Sequence, residues 1–277
     1  MKCRICAIVL SPWGRTAGIP LLRCRGCGSI HADCPKPSED LYADLYNRPD
    51  EVPPLVAASL DRVVSSMSSF RTHGRWLDIG FGQGALLDSA ARAGWQCHGT
   101  EHSEVAVEKA RARGFVTAPE TGAFADRFFD VVSLIEVVEH VEDPRWFLTE
   151  ARRVLRPGGC LYVTTPNAWS VNRWTLGASW SIFCPPDHLT IFSPRGLREL
   201  LWQCGFRRNA VCTEGLNPFE ILNRAQKREG KDFHRVNAGL ELCTSLSASP
   251  GRRRLKTLAN IILSGTRLGD SLKVRSV

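Results

Sequence analysis

The sequence has no run of 18 apolar residues, so it predicts no membrane-spanning helix. It also has no internal repeat and no long low-complexity tract, which argues against a repeat architecture or a disordered chain. The apolar stretch from Ile5 to Leu10 is too short, and too interrupted by cysteine, for a secretory signal peptide. We therefore expect a cytoplasmic location, where the 11 cysteines would be reduced rather than bridged.

The most informative segment is WLDIGFGQGALL, an apolar strand followed by three alternating glycines. Gly80, Gly82 and Gly84 allow the backbone to turn sharply and leave no side chain between it and a ligand. A helix that begins near Gly84 would direct free N–H groups and the positive end of its dipole towards the turn. The segment therefore predicts a pocket for a nucleotide cofactor.

Two cofactors fit this turn. The dinucleotide fingerprint G-x-G-x-x-G/A can be placed on Gly80, Gly82 and Ala85, which keeps NAD open. Asp78 argues against NAD, because its carboxylate at the carboxyl end of the strand would repel a pyrophosphate. The ammonium group of S-adenosylmethionine (SAM) would instead form a charge-assisted hydrogen bond there. Asp78 therefore favours SAM.

The segments that follow predict the other strands of a parallel sheet. Glu101 ends a second strand about 20 residues after the glycines, where an acidic side chain can accept both ribose hydroxyls of NAD or SAM alike. The continuous apolar run FDVVSLI is typical of a strand buried on both faces. Asp143 and Pro144 open a helix that reaches about Leu155. The RPGG segment should stop this helix, before a strand from Cys160 to Thr165.

Four motifs in this order, LDIGFGQG, the acidic Glu101, FDVVSLIEVVEHVEDP and LRPGGCLYVTTPN, resemble class I SAM-dependent methyltransferases. The EVVEH block is similar to the branch that contains the ubiquinone-pathway O-methyltransferases and many small-molecule methyltransferases. The likeness spans roughly Arg75 to Arg207. It implies an α/β fold with a doubly wound, mostly parallel, seven-stranded Rossmann-like sheet and SAM at the carboxyl ends of the first strands. The candidate cofactor-binding residues are Asp78, Gly80, Gly82, Gly84, Glu101 and Glu136.

The amino-terminal cysteines predict separate chemistry. Cys3, Cys6, Cys24 and Cys27 form two C-x2-C pairs with seventeen residues between them. This is the spacing of a structural zinc site, in which four thiolates leave no open coordination position. A ribbon this small has little core, so the metal would hold it together and would have no catalytic role. With four ligands present, we expect the nearby His31 and Cys34 to be bystanders.

These motifs suggest three domains within the 277 residues. Residues 1–36 would form the zinc ribbon and residues 37–72 a helical connector that several prolines interrupt. Residues 73–277 would form the methyltransferase domain, with a helical insertion at about 215–264. Zinc-ribbon heads also occur on methyltransferases that resemble this one, in sugar, polysaccharide and natural-product pathways.

Methyl transfer to a hydroxyl needs an acceptor that is aligned with the methyl group and a base that removes its proton. His188 is the first candidate base, because it lies in an aromatic-rich loop after Asn167 that follows a strand of the sheet. His140 is the second candidate. Its alternative role is a structural hydrogen bond that orders the loop around the cofactor. The tryptophans of the aromatic loop, from Trp169 onwards, could line an acceptor pocket or simply pack in a core.

The basic excess lies in the carboxyl-terminal third. From Arg207 to the end there are fourteen Lys and Arg residues against six Asp and Glu, and Arg252, Arg253, Arg254 and Lys256 are the densest part. Such charge could contact an anionic acceptor or membrane surface, or could be a solvated helical face. The sequence contains no recognisable RNA- or DNA-binding module, which disfavours a nucleic acid as the partner of this charge.

The sequence as a whole predicts a SAM-dependent methyltransferase. The acceptor would be a small or carrier-bound molecule, possibly a sugar, saccharide or natural-product intermediate, methylated on oxygen or carbon. The alternatives are a SAM-binding scaffold without catalysis and an NAD-dependent oxidoreductase.

Overall fold

The computed structural model describes residues 1–35, 52–222 and 250–277. The strands are β1 (Ser11–Thr16), β2 (Ile19–Arg23), β3 (Ile30–Ala32), β4 (Arg75–Ile79), β5 (Gln96–Thr100), β6 (Val116–Ala118), β7 (Phe129–Ile135), β8 (Leu155–Pro166), β9 (Thr190–Ile191), β10 (Asn209–Glu214) and β11 (Ser271–Ser276). The helices are α1 (Pro54–Ser66), α2 (Ala85–Arg92), α3 (Glu104–Ala112), α4 (Pro144–Val154), α5 (Val171–Leu176), α6 (Pro194–Gln203), α7 (Pro218–Leu222) and α8 (Pro250–Thr266).

The chain divides into two compact units, each assembled from three separate parts of the sequence. The ribbon unit contains the described residues of Met1–Pro35, Thr165–Glu199 and Val211–Lys273. The sheet unit contains those of Lys36–Thr164, Leu200–Ala210 and Val274–Val277. The proposed division into residues 1–36, 37–72 and 73–277 remains a prediction.

The larger sheet has seven strands in the order β10-β11-β8-β7-β4-β5-β6. The pairs β4 with β5, β5 with β6, β4 with β7 and β7 with β8 are all parallel. The chain enters at β4, winds outwards through β5 and β6, and then crosses back to β7 and β8. At the far edge, Arg208 and Val277 exchange backbone hydrogen bonds in both directions, as in an antiparallel pair. The predicted doubly wound, mostly parallel, seven-stranded sheet is confirmed.

The core of the sheet unit forms where apolar strands meet the apolar faces of helices. Trp76 of β4 is fully buried and meets the ring of Trp95 edge to face, with the ring centroids 5.2 Å apart. Leu86 and Leu87 of α2 belong to the same cluster. Each large apolar side chain buried in this way stabilises the fold by about 1.5–3 kcal/mol. This core fixes β4, and with it the glycine turn at its end.

Helix α4 begins as the sequence predicts, whereas the strand after it does not. The Asp143 carboxylate accepts hydrogen bonds from the backbone N–H groups of Arg145 and Trp146, and Pro144 occupies the first turn. The helix ends at Val154, close to the predicted end at about Leu155, but the predicted start of the next strand at Cys160 is wrong, because β8 already begins at Leu155 and includes the RPGG segment. A register shift against β7 absorbs the extra residues.

The ribbon unit contains a four-stranded antiparallel sheet in the order β1-β2-β3-β9. Its outer strand β9 comes from residues far along the chain, and Ile30 pairs with Ile191. Trp180 and Phe183 are buried in the adjoining apolar cluster, whereas the side chain of Trp174 is 61% exposed. The aromatic segment therefore contributes both to a core and to the surface.

Part of the predicted helical insertion at about 215–264 lies outside the described residues, which resume with α8. The side chains of Arg252, Arg253 and Lys256 are also outside them, and Arg254 is exposed. Among the helices that the structure describes, none is both long enough and apolar enough to cross a membrane.

Candidate cofactor site and cysteine cluster

The glycine turn follows β4 in the sheet unit. Gly80, Gly82 and Gly84 have φ angles of +69°, +56° and +80°, a region that side chains with a Cβ rarely adopt. A Cβ on Gly80 would lie 2.7 Å from Cγ2 of Val137. Steric crowding, in addition to the φ angle, therefore requires a glycine at this position. A Cβ on Gly82 would have no atom within 4 Å among the described residues, so this part of the turn borders open space. The turn thus forms a cradle whose backbone a ligand can approach.

Asp78 lies on β4 just before this turn and is only 3% exposed. Its Oδ1 accepts a 2.6 Å hydrogen bond from the hydroxyl of Ser133, which in turn accepts one from Nε1 of Trp76. Burial, and to a lesser extent the charge of Glu101, raises the pKa of Asp78 to about 7 despite the Ser133 hydrogen bond. Its Oδ2 has no hydrogen-bond partner among the described residues, so it can accept a hydrogen bond from a cationic ligand.

Glu101 follows β5 and is tied to the same turn. Its Oε2 accepts a hydrogen bond from the backbone N–H of Gly82 at 2.9 Å. Its Oε1 accepts from the N–H groups of His102 and Ser103 at 2.8 and 3.3 Å. These bonds hold the carboxylate in one orientation beside the cradle, and its binding of ribose hydroxyls remains a prediction.

Glu136 follows β7 and has a φ angle of +53°, a conformation that is strained for a residue other than glycine. Its backbone N–H donates to the carbonyl of Thr164 on β8, which holds it there. Nε2 of His140 lies 3.9 Å from Oε1 of the buried Glu139, and its backbone N–H donates to the carbonyl of Val137. The backbone bond holds His140 in the loop, and both roles considered for it, as base and as a structural hydrogen-bonding group, remain predictions.

The four cysteines of the predicted zinc site lie together in the ribbon unit. Their Sγ atoms are all within 4.8 Å of one another, with 3.7 Å between those of Cys3 and Cys27 and 3.4 Å between those of Cys6 and Cys24. Tetrahedral zinc with Zn–S bonds of about 2.3 Å would place its sulfurs about 3.8 Å apart. The backbone N–H groups of Ile5 and Cys27 also donate to ligand sulfurs, at 3.4 Å each. The donor set and its spacing fit zinc.

The cysteine cluster is hydrogen-bonded to the segment that contains β9. His31 is fully buried, with Nε2 3.4 Å from Sγ of Cys3 and Nδ1 3.1 Å from the hydroxyl of Thr190. Arg4 donates to the carbonyl of Leu189 and to the Thr190 hydroxyl. The group of four thiols does not include His31, so its expected status as a bystander to the metal stays a prediction; its ring connects Cys3 to β9. Cys34 packs against the apolar cluster that contains Trp180 and Phe183.

His188 precedes this strand in the same unit. Its Nδ1 lies 2.7 Å from the carbonyl oxygen of Ile182, and since a carbonyl only accepts, Nδ1 carries the proton. In the neutral ring, Nε2 then holds the lone pair and can accept a proton. Oδ2 of Asp187 lies 3.9 Å from Nε2 and would stabilise the ring once it is protonated.

The sequence interpretation missed Ser133, Trp76 and His31. One signal was available for Ser133, because it is the only polar residue inside the apolar run that follows Asp130. A polar side chain at a fully buried strand position needs a partner, and the parallel register places Ser133 opposite Asp78. No comparable signal pointed to His31, whose partners come from both ends of the ribbon unit.

Comparison with known proteins agrees with this geometry. A family model described as a methyltransferase domain matches residues 51–210. The ubiquinone biosynthesis O-methyltransferase of Rhizobium rhizogenes is 38% identical over 135 residues, which cover 45% of this chain and 52% of that protein. The protein of the same name from Cereibacter sphaeroides is 36% identical over 165 residues, 51% of this chain and 66% of that protein. The chain thus spans about half the length of the first of these curated relatives and two thirds of the second.

Solved structures show the same fold at lower identity. A SAM-dependent methyltransferase from Archaeoglobus fulgidus has a TM-score of 0.54 and 20% identity, covering 87% of this chain and 99% of its own. Phosphoethanolamine N-methyltransferase 2 of Haemonchus contortus, in complex with SAM, has a TM-score of 0.55 and 20% identity, covering 86% of this chain and 56% of its own.

The fold and the matched residues define the class of this protein as a Rossmann-like, class I methyltransferase, as the resemblance implied. The chain belongs to the methyltransferase-domain family.

Proposed function

We propose that this protein is a SAM-dependent methyltransferase that methylates an oxygen, or alternatively a carbon, of a small or carrier-bound acceptor. The observation that carries the proposal is the arrangement of two carboxylates around an open glycine turn. Asp78 precedes the turn, Glu101 is hydrogen-bonded to the backbone of Gly82, and a Cβ on Gly82 would meet no described atom within 4 Å. Membership of the methyltransferase-domain family supports the same function.

The residues of the cradle suit SAM better than NAD. SAM supplies a methyl group on a positively charged sulfur, together with an amino-acid end that carries an ammonium group. The free Oδ2 of Asp78 would accept a hydrogen bond from that ammonium, whose charge would favour the ionised carboxylate. A pyrophosphate would instead face this carboxylate without a counter-ion. Glu101, held by three backbone N–H groups, would accept from the ribose hydroxyls.

His188 is the residue that we propose as base on the acceptor side. Its tautomer leaves Nε2 able to take the proton of an acceptor hydroxyl, and Asp187 would stabilise the imidazolium that results. A hydroxyl acceptor agrees with the relatives that are named for ubiquinone biosynthesis and O-methyl transfer. Within that class, a sugar, saccharide or natural-product intermediate remains our narrower proposal, together with the cytoplasmic location.

The cysteine cluster would bind one structural zinc ion through Cys3, Cys6, Cys24 and Cys27. Zinc with four thiolates has no open position, so its role would be to fix the fold of the ribbon. The second C-x2-C pair contacts the end of the aromatic segment, because the Ser193 hydroxyl donates to the carbonyl of Cys27 at 2.5 Å. Through this bond and those of His31, the zinc site would hold the backbone on which His188 lies.

The test is a methyl-transfer assay that detects S-adenosylhomocysteine with a panel of phenols, saccharides and nucleotide-sugars. We expect release of S-adenosylhomocysteine with at least one acceptor. The His188→Gln variant should lose turnover while it retains SAM affinity, and His73→Gln, an exposed histidine of the sheet unit, should behave as wild type. Equal turnover in the His188 variant would remove the proposed base. SAM binding without release of product from any acceptor would favour the scaffold alternative.

A further inference from the structure

A second group of metal-ligating side chains lies in the ribbon unit, in the short segment between the buried residues Phe183 and Leu189. Sγ of Cys184, Oδ2 of Asp187 and Nε2 of His188 all lie within 4.8 Å of one another. Oδ2 of Asp187 is 3.9 Å from the sulfur and 3.9 Å from the ring nitrogen. A thiol, a carboxylate and an imidazole therefore meet within five consecutive residues.

The distances in this group are close to those of a tetrahedral zinc site. With Zn–S, Zn–N and Zn–O bonds of about 2.3, 2.05 and 2.1 Å, the oxygen would lie about 3.6 Å from the sulfur and about 3.4 Å from the nitrogen. Both distances are 3.9 Å here. Side-chain shifts of about 0.5 Å or less would therefore bring the three ligands to their bonding distances from one ion.

The backbone of the segment holds the ligands in place. The carbonyl of Ile182 accepts a hydrogen bond from Nδ1 of His188 at 2.7 Å and another from the backbone N–H of Cys184 at 3.0 Å. Metal-binding histidines commonly donate their second ring N–H to a carbonyl in this way, which orients the other nitrogen towards the metal. The N–H of Asp187 donates to the carbonyl of Cys184 at 3.1 Å and closes a four-residue turn that contains two prolines. Little conformational freedom would therefore be lost when a metal binds.

The exposure and chemistry of the ligands indicate the kind of metal site. Cys184 is exposed, and the side chains of Asp187 and His188 are 31% and 12% exposed, so an ion can enter from solvent. Three protein ligands leave the fourth position of a tetrahedral ion open to water, unlike the four-cysteine site. One sulfur, one nitrogen and one oxygen donor suit zinc, whereas magnesium and calcium prefer oxygen ligands throughout.

We propose that Cys184, Asp187 and His188 form a second zinc site in the ribbon unit, with an open coordination position and an ion that exchanges with solvent. The site goes beyond the proposed function, because it depends neither on SAM nor on a methyl acceptor. Zinc would displace the proton of the thiol and take the lone pair of Nε2. Since that lone pair would also take the proton of an acceptor, zinc at this site and His188 acting as base exclude each other.

Calorimetric titration of the whole chain with Zn²⁺ tests the proposal. After gel filtration without added metal, the chain should hold the single zinc of the four-cysteine site, and added Zn²⁺ should bind as one further equivalent. An excess of Mg²⁺ should not displace it. Co²⁺ in its place should give the ultraviolet charge-transfer absorption of a cobalt–thiolate bond. Absence of the further equivalent, or its displacement by Mg²⁺, would overturn the site.

The variants show whether the further ion is bound by this group. Cys184→Ser removes the sulfur donor and Asp187→Asn removes the charged oxygen, so each should bind the further Zn²⁺ at least tenfold more weakly. Cys184→Ser should also lose the cobalt–thiolate absorption. Cys212→Ser, at a half-buried cysteine of the same unit outside the group, should behave as wild type in both measurements. Unchanged zinc affinity in either folded variant of the group would refute the three-ligand site.

A SAM titration of the same samples distinguishes the two proposals. Zinc binding that depends on Cys184, in a protein that does not bind SAM, would refute the proposed function and leave the second zinc site in place. SAM binding without a further equivalent of zinc would refute the second zinc site alone.

Discussion

Replacing Asp78 with asparagine should have opposite effects on stability and on cofactor affinity. In the free protein, burial disfavours the ionised carboxylate and raises its pKa to about 7, from 3.8 in the unfolded chain. The folded state therefore binds this proton more tightly, and its stability falls as the pH rises from about 4 through 7. A shift of about three pKa units corresponds to about 4 kcal/mol as an upper bound on that loss.

The variant Asp78→Asn removes this loss and can retain the Ser133 hydrogen bond through its amide oxygen. At pH 8 we expect its free energy of unfolding to exceed that of the wild type, by up to about 4 kcal/mol, and at pH 4 to be similar. Its affinity for SAM should fall by about 10-fold to 150-fold, because a hydrogen bond to a charged group contributes about 1.5–3 kcal/mol.

Urea unfolding at pH 4 and pH 8 and calorimetric titration with SAM measure both effects. Glu108→Gln, which removes an exposed carboxylate of the same unit, is the matched control and should change neither quantity. Wild-type affinity for SAM in Asp78→Asn would refute the proposed ammonium contact. A variant that is less stable than the wild type at pH 8 would refute the electrostatic account of the buried carboxylate.

Three further predictions concern the metal, the sheet and the turn. Metal analysis should find one zinc per chain, and Cys24→Ser should lose it and lower the Tm; a zinc-free protein with an unchanged Tm would contradict this. Asp130 accepts bonds from four backbone N–H groups and from Arg156, which outweigh its burial and lower its pKa. Asp130→Asn should therefore lose about 3–5 kcal/mol of unfolding free energy at neutral pH. In the wild type, the stabilisation by the Asp130 carboxylate should disappear as the pH falls below about 4. Equal stability of the variant and the wild type in urea at pH 7 would contradict this prediction. Gly80→Ala should lower the Tm and weaken SAM binding, because its φ is +69° and its Cβ would lie 2.7 Å from Val137; an unchanged Tm would show that the turn relaxes.

The sequence was sufficient to predict the elements whose signals are local. The glycine turn, the Asp143 cap of α4 and the paired cysteines each depend on residues within a few positions of one another. Hydrophobic periodicity was sufficient for the parallel strands, since an apolar run such as that of β7 can be buried only between two layers.

Contacts between distant parts of the chain could not be predicted in the same way. The ribbon sheet gains β9 from residues about 160 positions away, and Arg4 contacts Leu189 across 185 positions. The Asp78 hydrogen bond to Ser133 depends on the register of two parallel strands, which the sequence does not specify. The start of β8 was predicted at Cys160 rather than at Leu155, because the turn chemistry of the RPGG segment is also compatible with an irregular strand.

The central claim is that the cradle around Asp78 binds SAM, and competition between cofactors tests it most directly. Calorimetric titration of the whole chain with SAM, S-adenosylhomocysteine and NAD should show saturable binding of the first two at one site and no binding of NAD. Saturable binding of NAD without binding of SAM would contradict the account and would assign the cradle to a dinucleotide.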